Sequence, residues 1–241
     1  MNGIPFISQG QGFVYDNHRW IENDRFTQTT NGLEPSGTCQ VSEENGRVVV
    51  KTVRKGSLCH TELIYTFLPN NEMLLEAAFL PQTDQLRRCG LVCGVNSALN
   101  MVDYYAYGPW ENYVDRKEGC RLGRFSTTVE AMDEAYVKPQ SMGNREELRE
   151  LTLTDKNGRG ISIRTEGKVS FSALRYTDED LMQAQHSWEL QPRPYTVLHL
   201  DAAVRGVGNA SCGRDVDTLP QYQIPKQPLS YKLRFRACSY K

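Results

Sequence analysis

Apolar and polar residues alternate with a period of two along most of this chain. Val48–Val53, Leu63–Leu68 and Met73–Leu80 predict successive β-strands, with Pro69-Asn70-Asn71 as the turn between the last two. Gly90–Asn96 and Met101–Tyr107 predict a further pair. The pattern resumes at Leu151–Thr154 and Gly160–Arg164, separated by Asp155-Lys156-Asn157-Gly158, whose Asn-Gly step signals a tight hairpin. Val169–Leu174, Tyr195–Asp201 and Tyr231–Ala237 complete the set. One stretch predicts a short helix: Thr177 is a capping residue, and Asp178, Glu179 and Asp180 place negative charge where the helix dipole favours it. Pro192 and Pro194 prevent any helix from continuing beyond that point. Strands do not alternate with long amphipathic helices, which excludes a (β/α)-barrel. The expectation is an all-β sandwich with one short helix, forming a single domain over 1–241 with residues 1–12 as a peripheral lead-in. A division near 126–135 is the weaker alternative, because nothing there has linker composition.

The 241 residues suffice for a substantial core. The formal net charge is −1, with basic residues scattered among acidic ones, which argues against a nucleic-acid-binding face. No apolar run is long enough to span a bilayer. The opening Met-Asn-Gly-Ile-Pro-Phe lacks the features of a signal peptide. Seven cysteines, at 39, 59, 89, 93, 120, 212 and 238, are irregularly spaced. Cys89 and Cys93 lack a second pair to complete a zinc set, so small buried thiols are the expectation and no metal is assigned.

Three strings carry chemistry. The first runs Gly108-Pro109-Trp110-Glu111-Asn112-Tyr113-Val114-Asp115-Arg116. Aromatic plates beside Asp, Asn and Arg are the usual furniture of carbohydrate sites. The structural reading is that Glu111, Asp115 and Arg116 pair among themselves to hold a loop. The second string, Tyr136 to Arg145, contains Gln140, Asn144 and Arg145, with Arg149 beyond it. Arg145 and Arg149 could clamp carboxylates or simply join two edges of the sandwich. The third runs from His199 through Gly206-Val207-Gly208 to Asp215, a strand opening into a glycine-containing loop of the kind that often carries function. His186 and His199 are expected to be packed or surface residues. No pair of carboxylates stands out as flanking a scissile bond, so no catalytic residue is assigned.

Together the strings resemble the C-terminal domain of the large β-galactosidases of glycoside hydrolase family 2. Gly108 to Arg116 matches that family's Gly-Pro-x-Glu-x-Tyr-x-Asp-Arg, and Tyr136 to Arg145 matches Tyr-Val-x-Pro-Gln-x-x-Gly-x-Arg. Phe171–Leu181 and His199–Gly208 follow in family order, and Asn23-Asp24 is similar to an Asn-Asp segment of the family. The resemblance implies a large antiparallel β-supersandwich of the galactose-mutarotase-like class, the last of five domains of a bacterial enzyme of the cytoplasm or periplasm. It implies that the catalytic glutamates, magnesium and sodium belong to a central barrel that this chain lacks, so the chain holds no cofactor. Its partners would be that barrel and the other domains of the parent, together with a β-galactoside.

The resemblance also implies that a late loop, here Gly206 through Asp215, reaches the active-site mouth. Asn209, Ser211, Cys212, Gly213 and Arg214 are then the candidate substrate contacts. A tryptophan that stacks on the leaving sugar in one family member falls here on Cys212 or Gly213, so Ser211 and Arg214 would have to supply polar contacts instead. The alternatives are a free-standing carbohydrate-binding module and an aldose mutarotase. The latter would use His186 or His199 with an acidic partner that the sequence does not reveal.

Overall fold

The computed structural model describes residues 5–22, 24, 33–208 and 217–239. The described residues form thirteen strands and one α-helix in two antiparallel sheets. The strands are β1 (Val14–Asp16), β2 (Leu33–Glu44), β3 (Arg47–Gly56), β4 (Cys59–Phe67), β5 (Met73–Pro81), β6 (Arg88–Asn96) and β7 (Met101–Gly108), then β8 (Arg121–Thr128), β9 (Glu150–Thr154), β10 (Arg159–Glu166), β11 (Ser170–Leu174), β12 (Tyr195–Val204) and β13 (Leu229–Ser239). Nine strands form a large sheet in the order β2-β3-β4-β5-β13-β10-β9-β7-β8, and four form a small one, β1-β6-β12-β11. No described helix is long and apolar enough to cross a membrane.

Every strand expected from alternation is present. Two hairpins arise from local chemistry. Asn45 and Gly46 both hold positive φ between β2 and β3, as a two-residue turn joining twisted strands requires. Between β9 and β10, Asp155 Oδ1 accepts from the N–H groups of Asn157 (2.8 Å) and Arg159 (2.9 Å), while Gly158 supplies positive φ. The helix α1 (Asp178–Gln183) starts with a reciprocal cap: Thr177 Oγ1 accepts from the Asp180 N–H, and Asp180 accepts from the Thr177 N–H.

The apolar core lies between the sheets. Leu75, Phe79, Leu233 and Phe235 of the large sheet face Leu91, Leu198, Leu200 and Phe171 of the small one. Phe79 packs on Tyr231 at 5.7 Å between ring centroids, and Tyr104 meets Phe171 edge-on at 5.3 Å. Val129 and Met132, inside the segment 126–135, are fully buried in this same core. Cys89 and Cys93 face it as free thiols. Because side chains alternate along a strand, the residues between Leu198 and Leu200 and beyond point the other way. His199 and Asp201 therefore occupy the outer face of the small sheet, with Asp16 and Arg88 beside them. That face is polar yet buried, since the loops carrying the sequence motifs cover it.

Candidate functional site

The first two strings interlock. Asn112 is fully buried and bonds like a strand: its N–H donates to Asn144 O (2.8 Å), its Oδ1 accepts from Glu146 N–H (2.9 Å), and its Nδ2 donates to the carbonyls of Trp110 (2.9 Å) and Tyr107 (3.1 Å). Asn144 returns the contact through Nδ2 to Asn112 O (2.7 Å). Glu111 accepts from Arg116, from the Tyr136 hydroxyl and from Gly143 N–H. The expected pairing of Glu111 with Arg116 is therefore present. Burial and the neighbouring Glu111 carboxylate push the Tyr136 hydroxyl up to about 12.

Asp115 departs from the expectation. It pairs with neither Glu111 nor Arg116; its carboxylate accepts from two backbone N–H groups of the third string, Val207 (2.9 Å) and Gly208 (2.6 Å). Gly206 lies so close that a Cβ there would stand 2.5 Å from the carboxyl carbon. The same turn is tied from three further sides. Gly206 N–H donates to Tyr222 O (2.9 Å), Thr218 Oγ1 donates to Gly206 O (3.2 Å), and Arg19 donates to Arg205 O while its guanidinium lies 4.7 Å over the Tyr113 ring. Arg205 in turn bonds Asp217, which also accepts from Thr218 N–H. Both feet of the segment 209–216 are thus fixed, the first by Asp115 and the second by the Arg205–Asp217 pair. Asn209, Ser211, Cys212, Gly213 and Arg214 lie outside the described residues, as does Asn23.

Beneath these loops sits a buried ionic cluster that the sequence reading missed. Arg88 Nη1 is 2.9 Å from Asp178, 3.5 Å from Asp16 and 3.0 Å from each ring nitrogen of His199, and its Nε is 3.3 Å from Asp201. Asp178 also accepts from Trp20 N–H (2.9 Å) and from Ser141 Oγ, joining the cluster to the second string. Three carboxylates share one guanidinium in a largely buried site, with Asp16 at its partly exposed edge. Burial therefore outweighs Arg88 at Asp201 and pushes its carboxyl up to about 8, with Asp16 and Asp178 reinforcing the shift. Burial raises Asp16 as well. His199 is driven the other way, well below the usual imidazole range, by burial and by Arg88. Asp16, Asp178 and His199 converge closely enough to hold a metal ion. The Arg88 guanidinium occupies that position and would repel one.

Other sites differ from the sequence reading. Among the described residues Arg145 clamps no carboxylate; it donates to the carbonyls of Pro109 (3.0 Å) and Asn144 (3.3 Å), and its backbone bridges Phe171. It ties the first string to the second and, through its backbone, to β11, where the sequence reading expects a join between two edges of the sandwich. Arg149 lies 5.4 Å over the Tyr105 ring. Gln140 Oε1 meets Glu22 N–H at 3.5 Å, and Trp110 stands 66% exposed. His186 is exposed, pairs with Glu189 and stacks on Trp188 at 4.2 Å. His199 does have acidic neighbours, but it is only 5% exposed and offers no ring nitrogen to a ligand. The converging carboxylates have Arg88 between them instead of an open cleft, so they lack the room for a sugar that glycoside cleavage requires.

A family model described as beta galactosidase small chain matches residues 12–236. The β-galactosidase of Actinobacillus pleuropneumoniae is 28% identical over 198 residues, which is 81% of this chain and 19% of that protein. The β-galactosidase of Streptococcus thermophilus is 38% identical over 120 residues, 49% of this chain and 12% of that protein. The chain thus spans less than a fifth of the length of either relative. Among solved structures, galactose 1-epimerase from Lactobacillus acidophilus aligns with 98% of the chain and 80% of its own length at 8% identity, with a TM-score of 0.47. A GalM/aldose epimerase homologue from C. elegans aligns with 98% and 82% at 10% identity, with a TM-score of 0.45.

Proposed function

The chain belongs to the β-galactosidase small-chain family, and from that premise we propose that it is the non-catalytic C-terminal domain of a β-galactosidase-type glycoside hydrolase. In this reading it docks on a catalytic barrel and presents the segment 209–216 at the mouth of the active site. The parent cleaves terminal β-galactosides with retention, using two barrel carboxylates, and any magnesium or sodium belongs to the barrel. One observation carries the reading: the motif aspartate, Asp115, is spent on the backbone of Val207 and Gly208. The carboxylate of the first polar string that does not pair with Arg116 thereby fixes a loop foot, and no side chain of that string is arranged as an acid or a nucleophile.

The test is a chromogenic galactoside assay on the purified 241-residue protein, alone and mixed with a separately expressed remainder of the parent. No turnover is expected alone, and turnover is expected on mixing. Hydrolysis by the isolated chain would overturn the proposal. A second reading, a free-standing carbohydrate-binding module, draws on the exposure of Trp110 and of Trp188 at 76%. It requires that galactose or lactose quench or shift tryptophan fluorescence saturably in the absence of any partner.

A further inference from the structure

A cavity of 240 Å³ opens where β11 begins and β12 ends, beside the turn Pro220–Tyr222. Its wall includes Val114, Glu146, Lys168, Ser170, Ala202 and Tyr222. Ser170 is 3% exposed, and its hydroxyl has no hydrogen-bond partner among the described residues. Buried hydroxyls are nearly always paired, so the missing partner belongs to whatever fills the space. At roughly 30 Å³ per water the volume holds about eight waters, less than the usual pocket for a drug-sized ligand.

The charges in the wall restrict the occupant. Lys168 opposes a metal ion or an amine. Glu146, buried and with Oε1 accepting from Asn144 (3.0 Å), opposes a carboxylate or phosphate. The two opposite charges act on each other across the wall and so neutralise it as a whole, which favours an uncharged occupant rich in donors and acceptors, with C–H faces to lie against Val114 and Ala202. We propose that this cavity is a binding site for one neutral sugar ring. Tyr222 belongs to the wall, and its carbonyl accepts the N–H of Gly206, so an occupant abuts the foot of that segment. This inference does not depend on docking to a barrel and stands or falls on the isolated chain.

Calorimetric or ligand-detected NMR titration of the 241-residue protein with D-galactose, D-glucose and D-galacturonate tests it. Saturable binding of the neutral sugars is expected on the order of 1 mM, a modest affinity for a ligand of about a dozen heavy atoms. Galacturonate should bind more weakly. Ser170→Ala and Lys168→Met should each weaken binding roughly tenfold, the loss of one good hydrogen bond. Arg124→Gln, on the exposed face of the large sheet, should change nothing. Lys168 is exposed at the surface, so K168M keeps the test valid if S170A fails to fold. Absence of saturable binding, or binding indifferent to both substitutions, would overturn the proposal, the cavity then being filled by water alone.

Discussion

Asp115 holds two backbone N–H groups, those of Val207 and Gly208, at a tight turn. Bonds to an ionised acceptor contribute about 1.5–3 kcal/mol each. Asp115→Asn keeps the shape but turns an acceptor into a donor aimed at Val207 or Gly208, so a loss of about 2 kcal/mol is expected. The local signature is faster hydrogen exchange at Val207 and Gly208, while the amides of β5 and β13 stay protected. Equal acceleration everywhere would mean that Asp115 supports the fold at large and has no special hold on the foot.

The ionic cluster makes a signed prediction about pH. Asp201 keeps its proton in the folded state up to about pH 8, whereas the unfolded chain releases it near 4. Between those values the native state binds more protons, so its stability falls as pH rises. His199 acts oppositely: it is neutral when folded, so stability is lost as pH drops below about 6.5. His199 opposes Asp201 below about 6.5, and Asp201 acts without that opposition from there to about 8. The melting temperature should therefore decline across that window, and Asp201→Asn should flatten the decline. Asp16, also raised, acts with the same sign. None of this was readable from single residues. Asp16, Arg88, Asp178 and Asp201 come from four distant segments, and nothing in their local sequence points from one to another. The one usable signal was a His and an Asp alternating inside the otherwise apolar β12.

Strands were legible where alternation reflects one buried and one open face, as in β4 and β5, whose burial keeps to the two-residue period. β2 escaped because it is an edge strand, exposed almost throughout; its Pro, Gly, Ser and Glu carry no apolar rhythm. The three residues of β1 are too few to show a period. The helix α1 was legible because its start is written in four residues, and that start can be tested. Thr177→Ala removes one half of the reciprocal cap and should cost about 1 kcal/mol in chemical denaturation. It should also loosen Asp178, the first residue of α1, over Arg88. Glycine inside a strand has a different meaning. At Gly90 a Cβ would stand 2.5 Å from the Asp201 Cα and 2.8 Å from Leu200 O, so β12 can approach β6 only because that side chain is absent. Gly90→Ala should cost about 3 kcal/mol by overpacking, and a near-neutral result would show that β6 and β12 can part without loss.

At the scale of the molecule the two sheets differ in what they offer a partner. The outer face of the large sheet carries cross-strand ion pairs: Lys51–Glu62 joins β3 to β4, Glu76–Lys232 joins β5 to β13, and Glu150 meets both Arg124 of β8 and Arg164 of β10. Opposite charges set side by side satisfy one another and leave little for a second protein to complement. Such exposed pairs contribute little to stability. The outer face of the small sheet is instead sealed by the interlocked motif loops, which present the exposed ring of Trp110 and the side chain of Val137, 91% exposed. Apolar groups displayed on a rigid polar scaffold suit an interface better than a self-paired charge lattice does. If the domain docks as proposed, it docks through this side. Trp110→Ser together with Val137→Ser should then weaken co-purification with the remainder of the parent while leaving the melting temperature of the isolated chain unchanged. Arg124→Gln with Glu76→Gln should do neither. Loss of association from the second pair and not the first would place the interface on the large sheet and remove the motif loops from it.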